Sequence, residues 1–409
     1  MAIPDIDLMD PKVFSNGIPY DYFRQLRHSD RLSRGRDTDG EQFWNVVRHC
    51  DVAAVSRDTA VFSTSPTTMT SVRKIDPSKG DTTAASSNQI IAFLDGPPHI
   101  RLRKLTHKAF APARVATLEA RTKDIVDSLL AEAVQKGEFD MAADVALRLP
   151  FEVLADVLGV AADDREMVLE WARQSINLGD PDFDATASQA SIFKLNDYLR
   201  NFAGLRAREP VDDLFSVLLA GRIRGDTHNL ADRLSPDEAA AFVTMVITAA
   251  ADTIFCSVTG AVLALLEFRD QLDKLRADRT LLPSAVDEIL RWVTPVTHFA
   301  RNVVSDTEIA GQQIRAGERV VLWYTSANRD EEVFAEPDRF DIARTPNPHL
   351  SFGGGGPHVC MGIGLAVMAV RQFLESAIDL LPRLEITGTP VRPETNFMNS
   401  VKHLPMRFR

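Results

Sequence analysis

The chain predicts a mainly α protein with a smaller β region, organised as a single domain over residues 1–409. Three observations carry this expectation. From Thr117 to Leu275 apolar residues recur at the 3.6-residue helical period. Inside that stretch, Ala239 to Leu266 stays largely apolar for about 42 Å of helix at roughly 1.5 Å per residue, too apolar on all sides for anything but a buried central helix. After it, Thr307–Ala310, Gln313–Ile314 and Arg319–Tyr324 read as short strands divided by turn residues.

Composition narrows the function. With 45% apolar and 25% charged residues the chain can bury a large core. A net charge of −11 and a pI near 5.4 argue against a nucleic-acid-binding surface. The start, Met1-Ala2-Ile3-Pro4-Asp5, has no basic stretch followed by an apolar run, so a cytoplasmic protein is expected. Cys50, Cys256 and Cys360 are far apart and odd in number, which fits a reducing compartment without a disulfide framework.

Taken in order, the chain opens with a helix from Tyr20 to His28 and a strand, Phe43–Val47, after the turn signal Asp39-Gly40. The polar, Ser/Thr-rich run from Ser63 to Asn88 is long for a connection and is read as a lid. Apolar residues return at Ile90, Ile91, Phe93 and Leu94, just before Asp95-Gly96-Pro97-Pro98-His99-Ile100-Arg101-Leu102-Arg103. His99 and Arg103 are four apart on one helix face, and both can donate to a carboxylate. Arg101, Lys104, Lys108 and Arg114 form a positive patch on an acidic protein, suited to an acidic partner. Further on, Ser235 and Glu238 make a capping box with Pro236 at the first helical position. The long apolar helix that follows is not read as a membrane span, because Thr244, Thr248, Asp252, Thr253, Ser257 and Thr259 punctuate it. Asp252-Thr253 sets an acid beside an alcohol in apolar surroundings, a pair able to relay protons or to be a satisfied core pair. Met245, Thr248, Ala249, Asp252 and Cys256 share a face, with Met245, Thr248 and Ala249 the candidates for contact with substrate. Glu288-x-x-Arg291 is an i, i+3 charge pair.

The chemistry converges on Ser351-Phe352-Gly353-Gly354-Gly355-Gly356-Pro357-His358-Val359-Cys360-Met361-Gly362. Four glycines permit positive φ and a close backbone approach. Cys360 follows, and Gly362 opens an apolar helix, so amide groups at the helix start favour thiolate over thiol. A thiolate held this way is a metal ligand or a nucleophile.

This stretch resembles the haem-thiolate loop of the cytochromes P-450, with one extra glycine that resembles the branch oxidising sterol side chains and methyl-branched lipids. Ala249-Ala250-Ala251-Asp252-Thr253 is similar to the family's proton-delivering signature, with Ala250 where glycine is usual. The resemblance implies a P-450 fold with the long helix over haem b, held by Cys360 as iron ligand, since no Cys-x-x-Cys-His attachment site is present. It implies that Asp252 and Thr253 deliver protons to O2, and that His99, Arg103, Arg301 and His358 bind haem propionates. Ala249, Phe352 and Gly362 would also contact the cofactor. Ile91, Phe93, Met245, Thr248, Ala249, Pro295, Val296, Phe397 and Met398 would line the substrate pocket. Glu288, Arg291 and the Arg339 of Pro337-Asp338-Arg339-Phe340 would form a structural network. The helix after Cys360 departs from the family, with Val367 and Ala369 at positions that usually carry charges. The implied activity is monooxygenation of a hydrophobic terpenoid, steroid or branched lipid, with a separate ferredoxin and reductase as electron donors. A peroxide-driven or rearranging haem-thiolate enzyme and a non-catalytic haem sensor or carrier are the alternatives.

Overall fold

The computed structural model describes every residue except 1–5, 30–31, 38–39, 69–89, 177–184, 226 and 229. The proposed lid therefore lies for its greater part outside the described residues. Among the described residues the α-helices of seven residues or more are α1 (Tyr20–Arg27), α2 (His49–Arg57), α3 (Gly96–Thr106), α4 (Pro112–Lys136), α5 (Arg148–Leu158), α6 (Ala162–Ile176), α7 (Ala185–Arg208), α8 (Leu214–Ala220), α9 (Pro236–Glu267), α10 (Arg269–Ala277), α11 (Leu282–Val293) and α12 (Ile363–Ala377). The strands are β1 (Ser33–Arg36), β2 (Gln42–Val46), β3 (Phe62–Ser63), β4 (Glu138–Asp140), β5 (His298–Val303), β6 (Thr307–Ile309), β7 (Gln312–Ile314), β8 (Arg319–Trp323), β9 (Leu384–Ile386) and β10 (Pro405–Phe408). By contacts the chain divides into two compact units: residues 1–96, 287–360 and 394–399, and residues 97–286, 361–393 and 400–409.

The first unit is built on a five-stranded sheet in the order β1-β2-β8-β5-β3. β2 and β8 are parallel and the other pairs antiparallel. Every residue of β8 is buried, as an apolar central strand requires. One face packs Trp44, Val46, Val320 and Leu322 against Val52 and Val55 of α2; another cluster gathers Phe14, Phe23, Phe43 and Trp323. Trp323 donates its indole N–H to Asn45 at 2.7 Å, which satisfies its one polar atom inside the core.

The same unit holds the Glu288 network. Glu288 and Arg291 are fully buried and paired twice, at 2.7 and 2.8 Å. The sequence places Arg339 as their third member, and the structure corrects this. Arg344 donates to Glu288 at 3.1 Å with its side chain 9% exposed, whereas the Arg339 side chain is 59% exposed and pairs with Glu336. Arg339 contributes only its carbonyl, which accepts from Arg291 and Arg344. Asp341 N and Asn347 Nδ2 complete the donors around Glu288.

The second unit is helical. α9 begins at the capping box that the sequence indicates, with Ser235 and Glu238 bonded reciprocally. Its length and hydropathy would suit a membrane span, but α5, α7 and α12 pack along it and Val243, Ile247, Ile254, Val258 and Leu265 are all buried. Arg101 was expected in a surface patch and is instead 7% exposed: its guanidinium grips Glu238 and the carbonyls of Ala231 and Arg233, locking α3 onto the start of α9. β4 interrupts the helical stretch without any periodic signal. It exists because β10, far along the chain, supplies its partner, with β9 completing a three-stranded sheet.

Removing Glu288 leaves two buried guanidiniums without a counter-charge, so Glu288→Ala should lower unfolding stability by roughly 3–5 kcal/mol. Arg339→Ala should leave the urea midpoint where it is, and Arg344→Ala should move it substantially. Equal effects of the two arginine substitutions would contradict the assignment.

Candidate active site

In the first unit the cysteine loop is shaped by helix α2. A Cβ on Gly354 would stand 2.4 Å from Ser56 Oγ and 2.9 Å from the Val52 carbonyl. On Gly356, where φ is +78°, it would meet the Ser56 carbonyl at 2.9 Å. The glycine run is thus required at least by a crossing of backbone over the last turn of α2. The loop closes on itself where Cys360 N donates to the Phe352 carbonyl at 3.0 Å. Cys360 is exposed, and Gly362 caps α12 two residues later in the chain. His358, implied to bind a carboxylate of the cofactor, has Nε2 3.2 Å from Asp95 Oδ1, a partner the sequence did not signal.

Arg301 sits on β5 and is 4% exposed. Its Nη1 donates to the Ala300 carbonyl and the guanidinium faces the Tyr324 hydroxyl, but among the described residues its Nε has no hydrogen-bond partner and no carboxylate pairs with it. A buried guanidinium left in this condition is costly unless an anion completes it. That observation, with the exposed Cys360, fits a cofactor bearing carboxylates and taking a thiolate ligand.

The residues predicted to touch substrate in this unit partly converge. Val296 bridges Met398, Thr297 N donates to the Phe397 carbonyl at 2.9 Å, and Asn399 N donates to the Pro295 carbonyl at 2.9 Å. Phe299 and Phe397 meet edge to face at 5.6 Å. The turn is held from beneath: Thr297 Oγ1 donates to the Asn396 carbonyl and lies 2.8 Å from His298 Nδ1. Burial keeps His298 neutral, its pKa lowered to about 3. Ile91 is buried and Phe93 half-buried on a short 3-10 turn.

In the second unit, His99 is 3% exposed and Arg103 half-buried, both on α3. On α9 the face predicted from spacing is the one left accessible. Met245, Thr248, Asp252 and Thr253 are half-buried and Ala249 is exposed, on a helix whose other faces are mostly covered. Cys256, assigned to that face by spacing, is buried and does not extend it. The helix stays regular through Ala249–Thr253, with alanine at 250 where glycine would loosen it. Thr253 donates to the Ala249 carbonyl at 2.8 Å, so its oxygen keeps lone pairs for an incoming donor. Asp252 makes no hydrogen bond among the described residues, and desolvation pushes its carboxyl up to about 8. An acid that keeps its proton at neutral pH beside an acceptor hydroxyl is suited to proton delivery.

Residues 194–403 match the family model described as cytochrome P450. The chain is 33% identical over 405 residues to a steroid C26-monooxygenase of Mycolicibacterium smegmatis, covering 98% of this chain and 92% of the relative. It is also 33% identical over 374 residues to a methyl-branched lipid omega-hydroxylase of Mycobacterium tuberculosis, covering 90% and 84%. Among solved structures, a cytochrome P450 of Mycobacterium marinum in complex with pseudoionone superposes with a TM-score of 0.87 at 31% identity, over 100% of both chains.

Two outcomes follow from this geometry. Gly356→Ala combines a disfavoured φ with a backbone clash and should cost roughly 1–3 kcal/mol. Gly317→Ala, with φ +87° but open space around it, should cost less in the same urea titration. For Asp252, the native carboxyl keeps its proton up to about pH 8, while an unfolded aspartate releases it near pH 4. Stability should therefore fall as pH rises through that window and level off above it. Asp252→Asn should flatten this slope, which urea midpoints at pH 5 and pH 8.5 will read; parallel slopes would contradict it.

Proposed function

Because the chain belongs to the cytochrome P450 family and is a monooxygenase of that family, we propose that it hydroxylates a terpenoid, steroid or branched lipid, using O2 and electrons from a ferredoxin and its reductase. The observation that carries this reading is the accessible strip on a helix half of whose residues are buried, Met245, Thr248, Ala249, Asp252 and Thr253. It pairs apolar surface for a hydrophobic substrate with one acid and one alcohol for proton delivery. The apolar turn at Phe397 and Met398, docked on Pro295 and Val296, supports the same substrate class.

Haem b, when bound, supplies the iron at which O2 is activated, and Cys360 is the residue to ligate it. Arg301, His99, Arg103 and His358 offer charge-assisted hydrogen bonds to its carboxylates. Ala249, Phe352 and Gly362 offer small or flat surface to its ring. Asp252 keeps a proton available at neutral pH, and the Thr253 oxygen, whose hydrogen is given to the Ala249 carbonyl, is free to accept one. Thr297 and His298 hold the Phe397 turn against the strand that carries Arg301 and so fix one wall for the substrate. Lys104 and Lys108 are exposed, without ion-pair partners among the described residues, and suit an acidic electron donor by complementary charge. Such an enzyme works in the cytoplasm, where its reduced partners are kept.

The test is a screen of steroids, terpenoids and methyl-branched lipids, reading the ferric spin-state change on binding and then product formation with ferredoxin, reductase and O2. Substrates of these classes should shift the spectrum and be hydroxylated. Asp252→Asn should slow turnover by roughly 10²-fold with the binding shift retained. Turnover with peroxide alone, and none with the electron donors, would overturn the proposal.

A further inference from the structure

One carboxylate in the first unit, Asp95, has no role in the haem-thiolate reading and is nonetheless heavily engaged. Asp95 Oδ2 accepts from Ser63 Oγ at 2.6 Å, Thr64 N at 2.9 Å and Ser65 N at 3.2 Å. Asp95 Oδ1 accepts from Thr64 Oγ1 at 2.9 Å and faces His358 Nε2 at 3.2 Å. A carboxylate offers about four lone-pair sites, so these five contacts saturate it. Burial alone would raise its pKa, but the bonds from His358, Ser63 and Thr64 outweigh burial and hold the carboxyl well below the usual carboxylate range. The side chains are 21% and 10% exposed at Asp95 and His358.

The three stretches joined here are far apart in sequence, and each leads to something functional. His358 belongs to the loop that ends in Cys360. Residues 63–68 run beside the strand of Arg301: Ser63 pairs with Asn302, Asn302 Nδ2 donates to the Ser65 carbonyl at 2.8 Å, and Ala300 N donates to the Thr68 carbonyl at 2.7 Å. Asp95 itself precedes α3, the helix of His99 and Arg103. A full negative charge is thus fixed where the turn beside the Arg301 strand meets the cysteine loop. A neutral hydrogen-bonding residue could brace the 63–65 turn as well; a carboxylate also sets which way His358 faces and adds charge beside the cysteine loop.

We propose that Asp95 is a positioning residue that acts through His358, orienting the histidine of the cysteine loop and placing a permanent negative charge close enough to the haem to lower its reduction potential. This rests on the haem-thiolate reading of Cys360. The negative charge opposes the added electron, so its removal raises the potential, and loss of the histidine's orientation loosens the grip on the cofactor.

The experiment uses the purified holoprotein as wild type, Asp95→Asn, Asp95→Glu and Ser63→Ala. It measures the midpoint potential by spectroelectrochemistry and the rate of haem loss to an acceptor globin. Asp95→Asn should move the potential upward and speed haem loss severalfold. Asp95→Glu should recover part of the potential, and Ser63→Ala, which keeps the charge, should leave it unchanged. In a His358→Gln background, Asp95→Asn should speed haem loss by a smaller factor than it does alone. A purely structural Asp95 would lower thermal stability in Asp95→Asn with the potential unmoved, and effects of the two substitutions that multiply would show that Asp95 does not act through His358; either result overturns the inference. If the wild type shows no thiolate-type spectrum, the reading of Cys360 fails first, and the two failures are distinguishable by that spectrum alone.

Discussion

A buried carboxylate, Glu288, is the constraint on which the first unit depends. It can be charged in the core only because Arg291 and Arg344 face it and the Asp341 amide and Asn347 side chain fill its remaining acceptor sites. The consequence reaches the cysteine loop. Arg291 donates to the Asn328 carbonyl, Asn328 accepts from Leu350 N at 2.7 Å, and its Nδ2 reaches Ser351 Oγ at 2.9 Å. Ser351 in turn donates to the Leu290 carbonyl at 2.8 Å on α11. The residues just before Phe352 are therefore fixed by polar bonds with no slack. Gly354 and Gly356 then take their path over α2 because no side chain could. The start of the loop that ends in this sulfur is thus held by a network that begins at Glu288, far back in the sequence.

The second unit solves a different problem. A long apolar helix must be covered by its neighbours and yet leave a strip accessible. α9 does this with bulky branched residues where it meets its neighbours and with Ala249, Thr248, Asp252 and Thr253 on the strip. The acid there has no counter-charge and no hydrogen bond among the described residues, and desolvation raises its pKa. The cost in stability at high pH is the counterpart of having a proton at hand near neutrality.

Much of this was legible in the sequence because it is local. The capping box at Ser235, the accessible face of α9, the pairing of Glu288 with Arg291 and the glycine run all follow from spacing of a few residues. What failed is what depends on distant partners. Arg339 lies in the motif that suggested it, but a further turn of chain brings Arg344 onto Glu288 and leaves Arg339 at the surface. Arg101 looked like part of a charged face, and nothing in its neighbourhood reveals Glu238, far away at the start of α9. Asp95 stands beside the prolines and His99 in plain view, yet its partners come from residues 63–65 and 358. β4 has no local signal at all, since its partner β10 ends the chain.

The claim at the centre is that Cys360 holds haem iron as a thiolate. The most direct measurement is the absorption spectrum of the purified protein after reduction and addition of carbon monoxide. A strongly red-shifted main band in the wild type, lost in Cys360→His while haem remains bound, is the predicted result. A band that survives Cys360→His, or a wild type whose band matches nitrogen ligation, would contradict the account.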